Sequence, residues 1–182
     1  DPTAIDGSSA GMRIESLSIV PMLAMGNAMS TFTAQNMGAG KIDRVKEGYR
    51  MCYVIVLTAG GVLCIMYQLA GGAFVSLFLD SGSSEAYSVG LSYVKFLSFF
   101  YSFIGLKAST DGLLRGAGDV TAFTVANLVN LAIRVSVTNL FAPIYGIQVA
   151  WMAVPLGWAA NYVISFGWYL TGKWKKVRVI KK

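Results

Sequence analysis

The chain has 182 residues, 55% of them hydrophobic and only 13% charged, with a net charge of +6 and a mean hydropathy of +0.57. Soluble domains carry about 25% charged residues, so this composition excludes an ordinary water-soluble fold. His is absent, which excludes a Ser-His-Asp hydrolase, a His-ligated metal site and a His proton relay within the chain.

Five long apolar segments follow one another: Ser9–Ala34, Tyr49–Leu79, Tyr87–Leu114, Val120–Ala142 and Ile147–Thr171. A helix needs about 20 mostly apolar residues to cross a hydrocarbon core of roughly 30 Å, and each segment is long enough. The fold class predicted is all-α, a polytopic membrane bundle of five transmembrane helices. The first segment opens with Arg13 and Glu15, too close in sequence to share a helix face. Asn27, Thr31 and Gln35 then form a polar row at four-residue spacing, beside a row of Met22, Met25 and Met29. Such a Met row suits promiscuous binding, because Met repacks around different shapes, and equally suits ordinary core or lipid contact. Pro21 removes a backbone donor early in this helix and predicts a kink, as Pro155 does in the last. Gly38-Ala39-Gly40 stops the first helix, Gly supplying the positive φ of a C-cap.

The second segment has no charged residue from Met51 to Leu79. Its Cys52 and Cys64 lie about 18 Å apart at 1.5 Å rise per residue, so they cannot pair within one helix, and they have no metal-ligand spacing. After a small polar loop (80–86), the third segment carries Lys95, Lys107 and Asp111, with Arg115 at its end. Lys107, Asp111 and Arg115 are four apart and share one face. Two readings stand: Asp111 as a cation or proton site tuned by Lys107, or a self-neutralising ladder near the headgroups. Gly116-Ala117-Gly118 forms a tight turn. The fourth segment places Asn127, Asn130, Arg134 and Thr138 on one stripe that must face protein or water. Arg134 either lines an aqueous cavity or locks helices together by pairing with a carboxylate, Glu15 and Asp111 being candidates. Pro143–Gly146 reads as a second tight turn, and residues 172–182 as a basic tail.

The connections settle the expected orientation. The first carries Lys41, Arg44, Lys46 and Arg50, the third carries Arg115, and the tail carries Lys173, Lys175, Lys176, Arg178, Lys181 and Lys182; the second and fourth carry none. By the positive-inside rule the first and third connections and the tail are cytoplasmic, and the start of the chain is external. These positions beside membrane ends suit topogenesis and contact with anionic lipid rather than nucleic acid. An odd number of spans, an external start and Asp1 in place of Met indicate a chain whose upstream half is missing.

Two motifs resemble one family. Gly11-Met12-Arg13-Ile14-Glu15-Ser16 leading into a span, with Gln35-Asn36-Met37-Gly38-Ala39-Gly40-Lys41 at its inner end, resembles the multidrug and toxic compound extrusion (MATE) transporters. Leu114-Arg115-Gly116-Ala117-Gly118-Asp119 resembles the second-half signature of the same family. The resemblance implies a twelve-helix fold of two six-helix lobes, of which this chain is the last five helices. It also implies export of amphipathic or cationic compounds from the bacterial inner membrane by antiport against sodium or protons. Some sodium-coupled relatives place an acid mid-way along the helix ending in Leu-Arg-Gly; here that stretch is Phe100-Tyr101-Ser102-Phe103-Ile104-Gly105, without a carboxylate. Asp111, Lys107 and Glu15 are the candidates for handling the coupling ion, the only cofactor expected, and no metal site is expected.

The expected cavity surface comprises Asn27, Thr31, Met25, Tyr101, Asn127, Asn130 and Arg134, with Tyr67, Tyr93 and Phe99 as further aromatic contacts for a lipophilic cation. Its partners would be membrane lipid, small amphipathic or cationic substrates and the missing N-terminal lobe. Two alternatives are a lipid-linked oligosaccharide flippase, which calls for a more basic cavity, and an integral membrane transferase, which calls for clustered acids or His at a membrane face. A channel would call for a Gly-rich re-entrant filter, which the sequence lacks.

Overall fold

The computed structural model describes residues 2–79, 84–146 and 148–176, and among them every regular element is helical. In chain order these are α1 (Pro2–Gly38), α2 (Ile42–Val75), α3 (Ser84–Ser98), α4 (Tyr101–Gly116), α5 (Val120–Tyr145), α6 (Gln148–Leu170) and a short 3₁₀ helix (Lys173–Lys176). Four of them, α1, α2, α5 and α6, are each long and apolar enough to cross a bilayer, and α3 with α4, taken together as one bent pair, brings the number to five. The chain is thus a polytopic helical membrane bundle. Residues 80–83 of the second polar connection and the last basic residues, Arg178, Lys181 and Lys182, lie outside the described residues, and α3 already begins at Ser84, inside the stretch read as loop.

α2 begins at Ile42 rather than Tyr49 and ends at Val75 rather than Leu79, and three further boundaries differ from those read in the sequence. First, α1 is 37 residues long, so it overruns its apolar segment at both ends. Gly38 is its last residue and not its stop. Second, α5 runs through Pro143 to Tyr145, so the expected turn begins only at Gly146. Third, the segment from Tyr87 to Leu114 is not one helix: α3 and α4 meet at Phe99 and Phe100 with a bend of 50°. No Pro or Gly sits there. Instead Gln68 reaches across from α2 and donates its side-chain amide to the Lys95 carbonyl at 2.9 Å and to Ser98 Oγ at 3.0 Å. Ser98 Oγ itself donates to the same carbonyl at 2.7 Å. A side chain inserted into the i→i−4 ladder is a recognised cause of a kink, and here it occupies the carbonyl that a continuous helix would have bonded.

The two Gly-Ala-Gly turns have the same geometry. Gly40 and Gly118 both take positive φ, 70° and 81°. In each, the glycine N–H bonds three residues back (Gly40 to Met37, Gly118 to Arg115, both 3.0 Å) and the next residue bonds five back (Lys41 to Asn36 at 2.8 Å, Asp119 to Leu114 at 2.9 Å). This is the paired closure of a Schellman motif. Only the second glycine of each copy is needed for it.

The first glycine of the second copy has a different task. Gly116 belongs to a row of small residues on α4, Ala108, Gly112 and Gly116, spaced by four. A Cβ on Gly112 would lie 2.1 Å from the Gly26 carbonyl oxygen of α1, and one on Gly116 2.2 Å from that of Ser30. Small residues at four-residue spacing let helix backbones touch in membranes, and α1 and α4 pack along this row. It makes α4 the centre of the bundle, with 11 of its 16 residues buried. By contrast α5 packs along α6, touches α4 only briefly and buries just Ala122 and Ala126. The rest of α5 presents Leu128, Leu131, Val135, Leu140 and Ile144 outward, as a helix facing lipid or another apolar body does.

At the end bearing Arg115, aromatic rings hold the bundle closed. Tyr162, Phe166, Tyr169 and Trp174 stack in succession, and Tyr49 leans on Tyr169 at 4.6 Å between ring centroids. Trp174 is completely buried. The Tyr49 hydroxyl meets those of Tyr53 and Thr110, so these phenols turn their polar tips inward toward one another. Tyr and Trp, with an apolar body and a polar tip, are the side chains expected at a membrane–water interface.

Candidate functional site

Because α5 stands off from α4, a groove of about 240 Å³ opens between α1, α4 and α5. It is lined by Leu23, Gly26 and Asn27 of α1, Lys107, Ala108, Asp111 and Arg115 of α4, and Phe123 and Asn127 of α5. Gly26 and Ala108 form the floor where the two backbones touch. The walls are polar, and their polar atoms are organised around one carboxylate.

Asp111 is 4% exposed. Its Oδ2 pairs with Lys107 Nζ at 2.9 Å, one helical turn earlier on the same face. Lys107 Nζ also donates to Asn127 Oδ1 at 3.0 Å. Asn127 is oriented by donating to the Phe123 carbonyl at 2.8 Å, with a long 3.4 Å contact to Asp111 Oδ2. Ser165 of α6 donates to Asp111 Oδ1 at 2.7 Å, and Asn161 lies beside it, fully buried. Three helices therefore converge on this carboxylate. A buried charge is tolerable when paired and hydrogen-bonded, and both conditions hold here.

Arg115 leaves the ladder. Its guanidinium donates to Asn27 Oδ1 at 2.8 Å and Ser30 Oγ at 3.4 Å, and lies over the Phe123 ring with 5.6 Å to the centroid. It therefore bridges α1 to α5 across the mouth of the groove. The three-member ladder expected from spacing is in fact one buried ion pair plus one bridging cation.

Of the residues expected to line a cavity, Asn27 and Asn127 come together in this groove. The others do not. Asn130 and Arg134 lie against α6, where a Cβ on Gly157 would meet Asn130 Oδ1 at 2.3 Å and Arg134 Cγ at 2.8 Å. Thr31 spends its hydroxyl on the Asn27 carbonyl at 3.3 Å. Met25 is half-buried against the core, while Met22 and Met29 are in it. Tyr101 has no exposed surface and packs on Tyr67 with 5.9 Å between centroids. Phe99 is exposed at the helix break.

Glu15 forms a second polar group away from the groove. It accepts from the Tyr93 hydroxyl at 2.5 Å. Tyr93 meets Trp151 edge-on, 5.2 Å between centroids. Arg13 sits beside Asp6, Phe78 and Leu79 in a separate crevice. Among the motif residues, Leu114 is fully buried and Gln35 exposed. Asp119 accepts from the backbone N–H of Ala122, capping α5, and from Trp168 Nε1 of α6 at 2.6 Å. That bond joins the turn after α4 to the end of α6. Among the described residues no three His, Cys, Asp or Glu gather as metal ligands.

Reading the sequence missed Ser165, Asn161 and the Asp119–Trp168 bond. Asn161 and Ser165, four apart in an apolar helix, were a legible signal of a polar face; the bond to Trp168 spans 49 residues and was not.

A broken span, closely touching backbones and a charged groove in an apolar bundle define the class, a multi-pass helical membrane protein with a polar site open on one face. The chain belongs to the MatE family, whose profile matches residues 1–153, in agreement with the two Gly-Ala-Gly motifs. It is similar to the probable multidrug resistance protein YpnP of Bacillus subtilis (27% identical, covering 96% of this chain and 39% of the relative). It is similar also to YoeA of the same organism (24%, covering 89% and 35%) and to NorM of Thermotoga maritima (21%, covering 98% and 39%), both named as probable multidrug resistance proteins. The chain thus spans about two fifths of the length of these relatives. No solved structure matches it significantly.

Proposed function

We propose that this chain is the C-terminal lobe of a secondary exporter of amphipathic cations and drugs, coupled to sodium or protons and working by alternating access. The observation that carries the proposal is the groove itself. Charged side chains inside a membrane bundle are costly and mark substrate or ion pathways, and here Lys107, Asp111 and Asn127 border one open cavity. The names of the relatives support multidrug export, and their greater length supports a second lobe that closes the groove into a central cavity. The basic end bearing Lys41, Arg44, Arg115 and Lys173 faces the cytoplasm in this reading. A transporter fits this chain better than a membrane enzyme, since among the described residues Asp111 is the only carboxylate lining the groove.

The test is ethidium efflux from everted vesicles containing the full-length polypeptide, with sodium and proton gradients imposed separately. Efflux should follow one of the two gradients. Asn27→Ala, at the groove mouth, should lower the rate by about tenfold, the scale of one lost polar contact of roughly 1.4 kcal/mol. Leu69→Ala, which is 84% exposed on α2, should leave it unchanged. No efflux under either gradient overturns the proposal.

A further inference from the structure

We propose that Lys107 is a tethered cation resident in a monovalent-cation site formed by Asp111, Asn127 and Ser165, and that an incoming alkali ion or ammonium group binds this lobe by displacing it. The inference deepens the reading above and rests on it for the groove's access to transported cations.

The oxygens come first. Asp111 Oδ2 and Asn127 Oδ1 lie 2.9 and 3.0 Å from Lys107 Nζ, and Ser165 Oγ holds the other carboxylate oxygen at 2.7 Å. Carboxylate, amide and hydroxyl oxygens brought together from three helices are the donors that hard cations take. The ammonium meets the carboxylate and amide oxygens as such a cation would, and the Ser165 hydroxyl acts on the site through the carboxylate it holds.

Charge comes second. The two side chains are 14% and 6% exposed and cancel one another. Arg115 is engaged with Asn27 and Ser30, and Asp111 has no second ion-pair partner among the described residues. Adding a cation beside this neutral pair would leave a net positive charge in a poorly solvated place. Entry of the cation therefore requires exit of the ammonium.

Room comes third. Both residues border the same open groove, and the four-carbon stem of Lys is flexible enough to carry its head from the carboxylate into that space. The tether holds the ammonium at a high effective concentration, so a free ion competes at a disadvantage that disappears when Lys107 is replaced. A purely structural ion pair would show no such competition.

Radioactive sodium binding to the purified full-length polypeptide tests this. Lys107→Met should bind sodium about tenfold more tightly than the unsubstituted protein, the intramolecular competitor being gone. The double variant Lys107→Met, Asp111→Asn should lose that gain. Equal binding by Lys107→Met and the unsubstituted protein, or a gain that survives in the double variant, overturns the proposal. Should Lys107→Met fail to fold, acylation of Lys107 in the unsubstituted protein, read by peptide mass spectrometry at constant ionic strength, takes its place. Labelling should rise with sodium or methylammonium relative to bulky N-methylglucamine. A rise with sodium alone assigns the site to the alkali ion, one with methylammonium alone to an ammonium headgroup, and no rise with either overturns it. Labelling that responds to cations in a protein without gradient-driven efflux sinks the transport reading and leaves the site standing.

Discussion

At Asp111 three kinds of partner act on one carboxylate, and their removal should not be equivalent. Asp111→Asn strands the Lys107 ammonium, 14% exposed, without its counter-ion. Breaking a buried pair from one side costs about 3–5 kcal/mol. Ser165→Ala removes only the 2.7 Å hydrogen bond to Oδ1, for which about 1.5–3 kcal/mol is the scale of a bond to a charged group. Thermal melts of the purified full-length polypeptide should therefore rank Asp111→Asn well below Ser165→Ala. The reverse order would mean that Asp111 is not held as an ion. At this scale the sequence was half legible. The spacing of Lys107 and Asp111 placed them on one face, because i and i+4 coincide on a helix. It could not supply Ser165, 54 residues away, nor separate Asn130 from Asn127. At about 100° per residue, three residues turn Asn130 roughly 60° away from Asn127, enough to move it from the groove to the α6 contact.

Among the elements, the contact of α1 with α4 is the least forgiving. Gly112→Leu would drive a branched side chain into the Gly26 carbonyl, from which even a Cβ stands only 2.1 Å away. Neither backbone can yield without separating the helices, so little monodisperse full-length protein should be recovered on size exclusion. Gly61→Leu, where a Cβ meets nothing within 4 Å, should be tolerated and serves as the comparison. All five spans could be read from apolar length alone, since a bilayer demands length above all. The break at Phe99 could not. Its cause is Gln68 on another helix, and a kink imposed across a tertiary contact leaves no Pro or Gly behind. Likewise Gly116 looked like part of the helix stop that Gly118 makes, because its packing partner, α1, lies far off in sequence.

For the whole molecule, the exposed face of α5 decides what the lobe needs. Leu131, Val135, Leu140 and Ile144 are exposed, while Phe123 and Asn127 of the same helix border the charged groove. Such a mixed surface suits neither lipid nor detergent throughout. The 182-residue chain expressed by itself should therefore elute as a polydisperse aggregate in mild detergent, while the same segment within the full-length polypeptide elutes as a single peak. A sharp peak from the lobe alone would show that the groove needs no cover.

The bond from Trp168 to Asp119 has a mechanical consequence. It rivets α5 and α6 to the end of α4 at the turn where α5 begins. Among the described residues the far end of α5, around Phe141 and Tyr145, has no such hydrogen bond and is exposed. With α1 and α4 in backbone contact as one stiff spine, α6 lies along α4 and sets Trp151 edge-on against Tyr93 of α3 at its other end, so α5 hangs on the bundle chiefly through α6, as a shutter hangs on its post.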